Sequence, residues 1–178
     1  MAACVALLRG INVGKAKRVP MAELRALFEG LGFTDVRTLL NSGNVIFRPS
    51  RPNPAKISAK IEAAIRDRFG FPVPVVVVTA DELDAIIAAN TLPHAPRDPS
   101  RFLVAFAASA DALAKAGAMK AKPWAPDALA VGDKAAYLWC DAGIIESKLM
   151  QAFAKATGDG ATARNWATVL KLQSAARD

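Results

Sequence analysis

Residues 4–9, CVALLR, form an unbroken apolar run of strand length that ends on a cation, which reads as a buried strand. The next apolar set, Leu24, Leu27, Phe28 and Leu31, falls at helical spacing, with Pro20 placed to start a helix and Gly32 to end it. VRTLL and NVIFR flank NSGN at 41–44. Two short apolar runs around Asn, Ser and Gly predict a β-hairpin. Asn53-Pro54 then supplies a cap and a first-turn proline, and Ile57, Ile61, Ile65 and Phe69 continue as a four-residue stripe closed by Gly70. VPVVVV (73–78) is the next strand, and its Pro74 favours an edge position or a break at the strand's start. The order strand, helix, strand, strand, helix, strand is the split βαβ, ferredoxin-like arrangement, an antiparallel sheet with two helices on one face.

TADE (79–82) has the form of a capping box, so a helix with Leu83, Ile86 and Ile87 inward should follow. NTLPHAPRDPS (90–100) carries three prolines and marks a stiff surface connection, the best boundary in the chain. His94 within it is expected as an exposed loop residue. The second half repeats the order: a strand in RFLVAFA (101–107), a helix over 110–119, a hairpin of ALAV and AAYLWC around GDK (132–134), a helix over 145–157 ended by Gly158, and a last short strand in TAR. A final helix sets Trp166, Val169, Leu170 and Gln173 on one face, and Arg164, Thr168 and Lys171 would share another if it began that early. The fold class is α+β: two ferredoxin-like (α-β plait) subdomains with antiparallel sheets, residues 1–90 and residues 91–178, the second carrying the C-terminal helix.

Composition narrows the function. With 53% hydrophobic residues in 178 the chain can build a substantial core. Its longest apolar runs fall far short of the roughly 18 residues of a membrane span, and the start lacks the pattern of a signal peptide. A cytoplasmic protein without a membrane partner is expected. Cys4 and Cys140 lie in apolar segments and are expected as buried free thiols, and with one histidine no metal site and no cofactor are expected. No pair of spaced carboxylates suggests glycosidase-type acid and base work. The net charge is +7, and no Asp or Glu precedes Glu23 while Arg9, Lys15, Lys17 and Arg18 all do. Such a segment attracts phosphates, carboxylates or nucleic acid.

The loop RGINVGKAKRVP (9–20) has neither the G-K-[ST] ending of a phosphate-binding P-loop nor the G-x-G-x-x-G of dinucleotide folds. Gly10 and Gly14 allow close backbone approach, Asn12 can donate or accept, and Arg9 and Lys17 supply charge. Ser42 in NSGN is no nucleophile by pattern, since there is no G-x-S-x-G elbow. Gly43 and the asparagines serve a tight turn, with Ser42 or Asn44 as the residues able to meet a ligand. In GATARNWATVLKL (160–172), Asn165 can cap the last helix, with Arg164 and Thr162 just before it, a combination suited to a carboxylate or phosphate. Trp166 is expected as a core anchor. Glu146 and Lys148 are expected to begin the preceding helix, paired with this region or with solvent.

VALLRGINVG, VPMAELRALFEGLGFTDVRTLLNSGNVIF, ESKLMQAF and TARNWATVLKL together resemble the bacterial family called domain of unknown function 1697. The resemblance spans nearly the whole chain. It implies two α-β plait subdomains and implies no activity. The family's signature stretches fall on Arg9, Gly10, Asn12, Gly14, Pro20, Ser42, Gly43, Asn44, Lys148, Thr162, Arg164, Asn165, Trp166 and Lys171. Lys15 stands where the family commonly has a second glycine, and Thr162-Ala163 where it has paired threonines, which weakens any role for two hydroxyls beside Arg164.

The leading expectation is a small anionic ligand bearing phosphate or carboxylate, bound by Arg9, Asn12, Gly14, Lys17, Ser42, Asn44, Lys148, Thr162, Arg164 and Asn165. Whether it is also an enzyme is left open, as is the oligomeric state. Nucleic acid is the alternative partner, with Phe47, Phe102, Phe106, Tyr137 and Trp139 as the strand aromatics able to stack on bases. A protein-interaction domain without catalysis is the third reading.

Overall fold

The structure, a computed structural model, describes residues 2–178. The chain divides into two units, Met1–Leu83 with Leu172–Asp178, and Asp84–Lys171.

The first unit holds β1 (Cys4–Leu8), α1 (Met21–Gly30), β2 (Thr34–Leu39), β3 (Asn44–Arg48), α2 (Pro54–Phe69), β4 (Val75–Thr79) and the start of α3 (Ala80–Ala88). Its four-stranded sheet has the order β2-β3-β1-β4, antiparallel throughout. This is the ferredoxin-like order. Pro74 lies just before β4, and β4 is an edge strand, where a missing ladder donor costs least. The alternate residues Cys4, Ala6, Leu8, Val45, Phe47, Val75 and Val77 pack under Leu24 and Phe28 of α1 and Ile57, Ile61 and Ile65 of α2. The period of two in the strands meets the four-residue stripe of the helix. Val5, Leu7, Ile46, Val76 and Val78, on the other face, are buried too. Asn53 accepts from the Lys56 N–H to cap α2, and Gly70 ends it in the left-handed conformation at φ 82°.

The second unit repeats the topology. It comprises β5 (Phe102–Ala107), α4 (Ala110–Ala118), β6 (Ala128–Val131), β7 (Ala135–Trp139), α5 (Lys148–Thr157), β8 (Ala161–Asn165) and the first half of α6 (Trp166–Arg177). The sheet order is β6-β7-β5-β8, again antiparallel. Leu103, Ala105, Ala136, Leu138 and Ala161 pack with Ala116 of α4 and Leu149 and Phe153 of α5. The molecule is thus an α+β protein of two similar subdomains.

The capping box forms in full. The Thr79 N–H donates to Glu82 Oε2 (2.9 Å), and the Glu82 N–H donates to Thr79 Oγ1 (3.1 Å). Two local expectations are corrected. α5 starts at Lys148 because Ser147 caps it, accepting from the Met150 N–H, so Glu146 lies before the helix. Arg164 belongs to β8, so it shares no helical face with Thr168 and Lys171.

Candidate functional site

In the first unit the chain leaves β1 into the loop 9–20, and one side chain closes that loop on itself. Asn12 Nδ2 donates to the Val19 carbonyl (2.9 Å), and Asn12 Oδ1 accepts from the Val19 N–H (2.8 Å). The Asn12 N–H also donates to the Lys17 carbonyl (3.1 Å). Asn12 therefore stands as a clamp at the base of a six-residue finger, Val13–Arg18, every residue of which is exposed. Gly10, Asn12, Gly14 and Lys17 all hold positive φ, between 51° and 71°. Asparagine and glycine accept that region readily, whereas it costs a lysine about 1–2 kcal/mol. Lys15, Lys17 and Arg18 have no carboxylate partner among the described residues. Val13 is 72% exposed beside them.

The turn between β2 and β3 meets this loop. Asn12 Nδ2 also donates to the Asn41 carbonyl (2.8 Å), and the Leu8 N–H donates to the Gly43 carbonyl (2.8 Å). Gly43 sits at φ 90°, and a Cβ there would stand 2.8 Å from both Leu8 Cβ and Ile11 Cδ1. Only glycine lets the turn come this close. Asn44 is fully buried and donates to the Leu39 carbonyl (2.8 Å) and to Ser42 Oγ (3.0 Å), holding the turn from within. Thus Arg9, Asn12, Gly14, Lys17, Ser42 and Asn44 are brought together around two joined loops. The amides of Asn12 and Asn44 shape the loops, Lys17 is exposed on the finger, and Arg9 at its base is half-buried. Asn41, absent from the sequence-based candidates, is the residue whose carbonyl ties the two loops. Its only signal in the sequence is its place at the head of a tight turn.

The remaining candidates lie in the second unit. Thr162 and Arg164 occupy the same face of β8, opposite Phe106 and Val104 of β5. Both are buried. Thr162 Oγ1 has no hydrogen-bond partner among the described residues, and the Arg164 guanidinium donates to the Ala163 carbonyl (3.0 Å). Asn165 caps α6, accepting from the Thr168 N–H (2.9 Å). Lys148 opens α5 with its side chain exposed. A network not foreseen from sequence lies beside it. Ser147 Oγ donates to Asp127 Oδ2 (2.8 Å), and the Asp141 N–H donates to Asp127 Oδ1 (2.8 Å).

The strand aromatics are all buried, Phe47 within the first core and the others within the second unit. Tyr137 donates its hydroxyl to the Ile86 carbonyl (2.6 Å), and Phe102 packs edge-on against Trp166 at 5.3 Å. Trp139 stacks on His94 at 5.1 Å between ring centroids. His94 is therefore not the exposed loop residue its flanking prolines suggested. It is half-buried, with Nδ1 fully enclosed and without a partner among the described residues. A ring stacked on tryptophan gains more contact than one left in water.

Both cysteines are free and buried. Burial, with the charge of Glu82 adding, pushes the Cys4 thiol up to about 11. Burial likewise raises Cys140, against a hydrogen bond with Ser147 that lowers it and the charge of Asp127 that raises it. Thiols held protonated are poor nucleophiles. Asp98, half-exposed, is lowered by the hydroxyl and backbone N–H of Ser100. No group of three metal-ligating side chains occurs among the described residues, and no helix among them is long and apolar enough to cross a membrane.

Two ferredoxin-like subdomains, the first carrying a clamped basic finger, define a class by architecture rather than by chemistry. The chain belongs to the DUF1697 family, proteins of unknown function, whose model matches residues 1–137. Among solved structures it is similar to the conserved bacterial protein SP0830 from Streptococcus pneumoniae, with 22% identity over 98% of each chain and a TM-score of 0.83, a likeness of fold. No curated protein matches the chain.

Proposed function

We propose that the protein binds a small anionic ligand, bearing phosphate or carboxylate, at the joined loops 9–20 and 40–44. The observation that carries this reading is the clamped finger. Lys15, Lys17 and Arg18 crowd into four exposed positions of a backbone locked by Asn12, with no acid in the segment to offset them. Like charges so close repel one another, and an anion relieves that repulsion while gaining from all three. The open space around Gly10 and Gly14, where a Cβ would meet nothing within 4 Å, leaves room for a ligand against the backbone. Ser42 offers a hydroxyl at the adjoining turn.

Inorganic triphosphate and citrate are the first probes, read by thermal shift and calorimetry at low and high salt. Both should stabilise the protein, and the triple variant Lys15→Glu, Lys17→Glu, Arg18→Glu should lose that stabilisation. Unchanged binding by the variant would remove the loop from the reading. A short RNA in the same panel tests the alternative partner. With the strand aromatics buried, nucleic acid would have to bind through charge, so its affinity should fall steeply with salt. Stabilisation by RNA alone would put that alternative first.

A further inference from the structure

A second cationic feature lies at the other end of the first sheet. β1 and β3 are antiparallel, with Cys4 opposite Phe47 and Leu7 opposite Asn44. The chain leaving β3 therefore emerges where β1 begins, away from the loop 9–20. Between this segment and the first turns of α2 is a concavity of about 280 Å³. Phe33, Pro49 and Ile57 form its apolar floor, all buried, while Arg51, Lys56 and Lys60 stand around its rim. No acid lines it, and the chain has no Asp or Glu between Asp35 and Glu62.

The three cations differ in their engagements. Lys60 Nζ donates to the Leu31 carbonyl (2.9 Å) and stands 5.5 Å over the Phe33 ring, which holds it at the edge of the floor. The Arg51 guanidinium and the Lys56 ammonium have no partner among the described residues. Elsewhere in the same unit Arg25, Arg37, Arg48, Arg68 and Arg177 each carry a carboxylate partner. Two uncommitted cations above a buried apolar floor are what an amphiphilic anion requires. The helix end contributes little, because Pro54 has no N–H and the Asn53 side chain already takes that of Lys56.

We propose that this concavity binds a small organic anion, one carboxylate or phosphate group carried on a single ring or short chain. Arg51 and Lys56 take the head group, Arg51 in the two-pronged geometry that a guanidinium offers to paired oxygens. The apolar body lies on Phe33 and Ile57. A space of this volume sits just under the range of about 300–1,000 Å³ that holds drug-sized ligands, which limits the body to that size. The site is independent of the loop proposal.

The test uses the full chain with benzoate and phenyl phosphate as probes and with benzylamine and inorganic phosphate as controls, by ligand-observed NMR and calorimetry. At least one aromatic anion should bind, and the better of the two names the head group. Benzylamine should not bind, and inorganic phosphate should bind this site more weakly than phenyl phosphate. Arg51→Glu with Lys56→Glu, both at exposed positions, should weaken binding by about tenfold or more. In the background of Lys15→Glu with Lys17→Glu, which removes any binding at the loop 9–20, the aromatic anion should still bind and should still be weakened by the Arg51 and Lys56 reversals. Binding of benzylamine as tight as that of benzoate, indifference to the Arg51/Lys56 reversals, or no binding of either aromatic anion would each overturn the proposal. Circular dichroism of the variant guards against mistaking lost fold for lost affinity.

Discussion

Gly43 and Gly14 both have positive φ, yet they face different surroundings. A Cβ at Gly43 would be driven into Leu8 Cβ and Ile11 Cδ1 at 2.8 Å, whereas one at Gly14 meets nothing within 4 Å. Leu8 Cβ is attached directly to the backbone of β1 and has little freedom to withdraw. Gly43→Ala should therefore cost about 3 kcal/mol, backbone strain plus overpacking, and Gly14→Ala only about 1 kcal/mol, strain alone. Urea unfolding of the two variants checks this, and equal costs would mean that the turn yields without resistance. The sequence marks both positions as glycine without ranking them. The ranking depends on Leu8 and Ile11, which lie more than 30 positions away in the chain. Asn12 carries the same lesson. Its clamp on Val19 spans seven residues, but its bond to Asn41 spans 29, beyond any local pattern.

At the scale of elements, the legible features are those made by neighbours in sequence. The Thr79–Glu82 box, the Asn53-Pro54 start and the Gly70 stop each follow from groups within four positions of one another. α5 starts three residues later than the sequence pattern predicts, because its cap is reinforced from afar. Ser147 is bound by Asp127, 20 residues back across the β6–β7 hairpin. Ser147→Ala removes both the cap and that bond, and should cost about 1–2 kcal/mol. Asp127 also holds the Asp141 N–H, so the two residues should be coupled. A double-mutant cycle of Ser147→Ala with Asp127→Ala should return an interaction of about 0.5 kcal/mol or more, and strict additivity would show the contact to be energetically idle.

At the scale of the whole molecule, buried acids set the response to alkali. Tyr137 is the chain's single tyrosine, and burial, with the charge of Asp133 adding, pushes it from 10.0 up to about 12. Cys4 moves from 9.0 to about 11. Both groups are held neutral in the folded state. Their contribution is complete below the unfolded values and is lost as pH rises through the folded ones. Stability should thus fall between about pH 9 and 12 on account of these two groups. Tyr137→Phe should abolish the upper part of that slope while costing about 1 kcal/mol at neutral pH, for the lost bond to the Ile86 carbonyl. Ultraviolet titration of the tyrosine gives the same answer independently. Ionisation near pH 10 in the folded protein would contradict the burial seen here.

The order of strands and helices, both hairpins and the alternating core positions follow from the sequence alone. Each expresses a period of two or of 3.6, or a cap and turn chemistry that acts within a few residues. So does the basic character of the loop 9–20, because charge is additive along the chain. The tertiary structure alone decided which groups remain available for chemistry. Both faces of the central strands are buried, so Phe102, Phe106, Tyr137 and Trp139 serve packing rather than a stacking surface. His94 meets Trp139 across 45 positions, and Arg51 and Lys56 have no partner among the described residues above a floor containing Phe33. Availability depends on what comes near from elsewhere in the chain, and local periodicity carries no information about that.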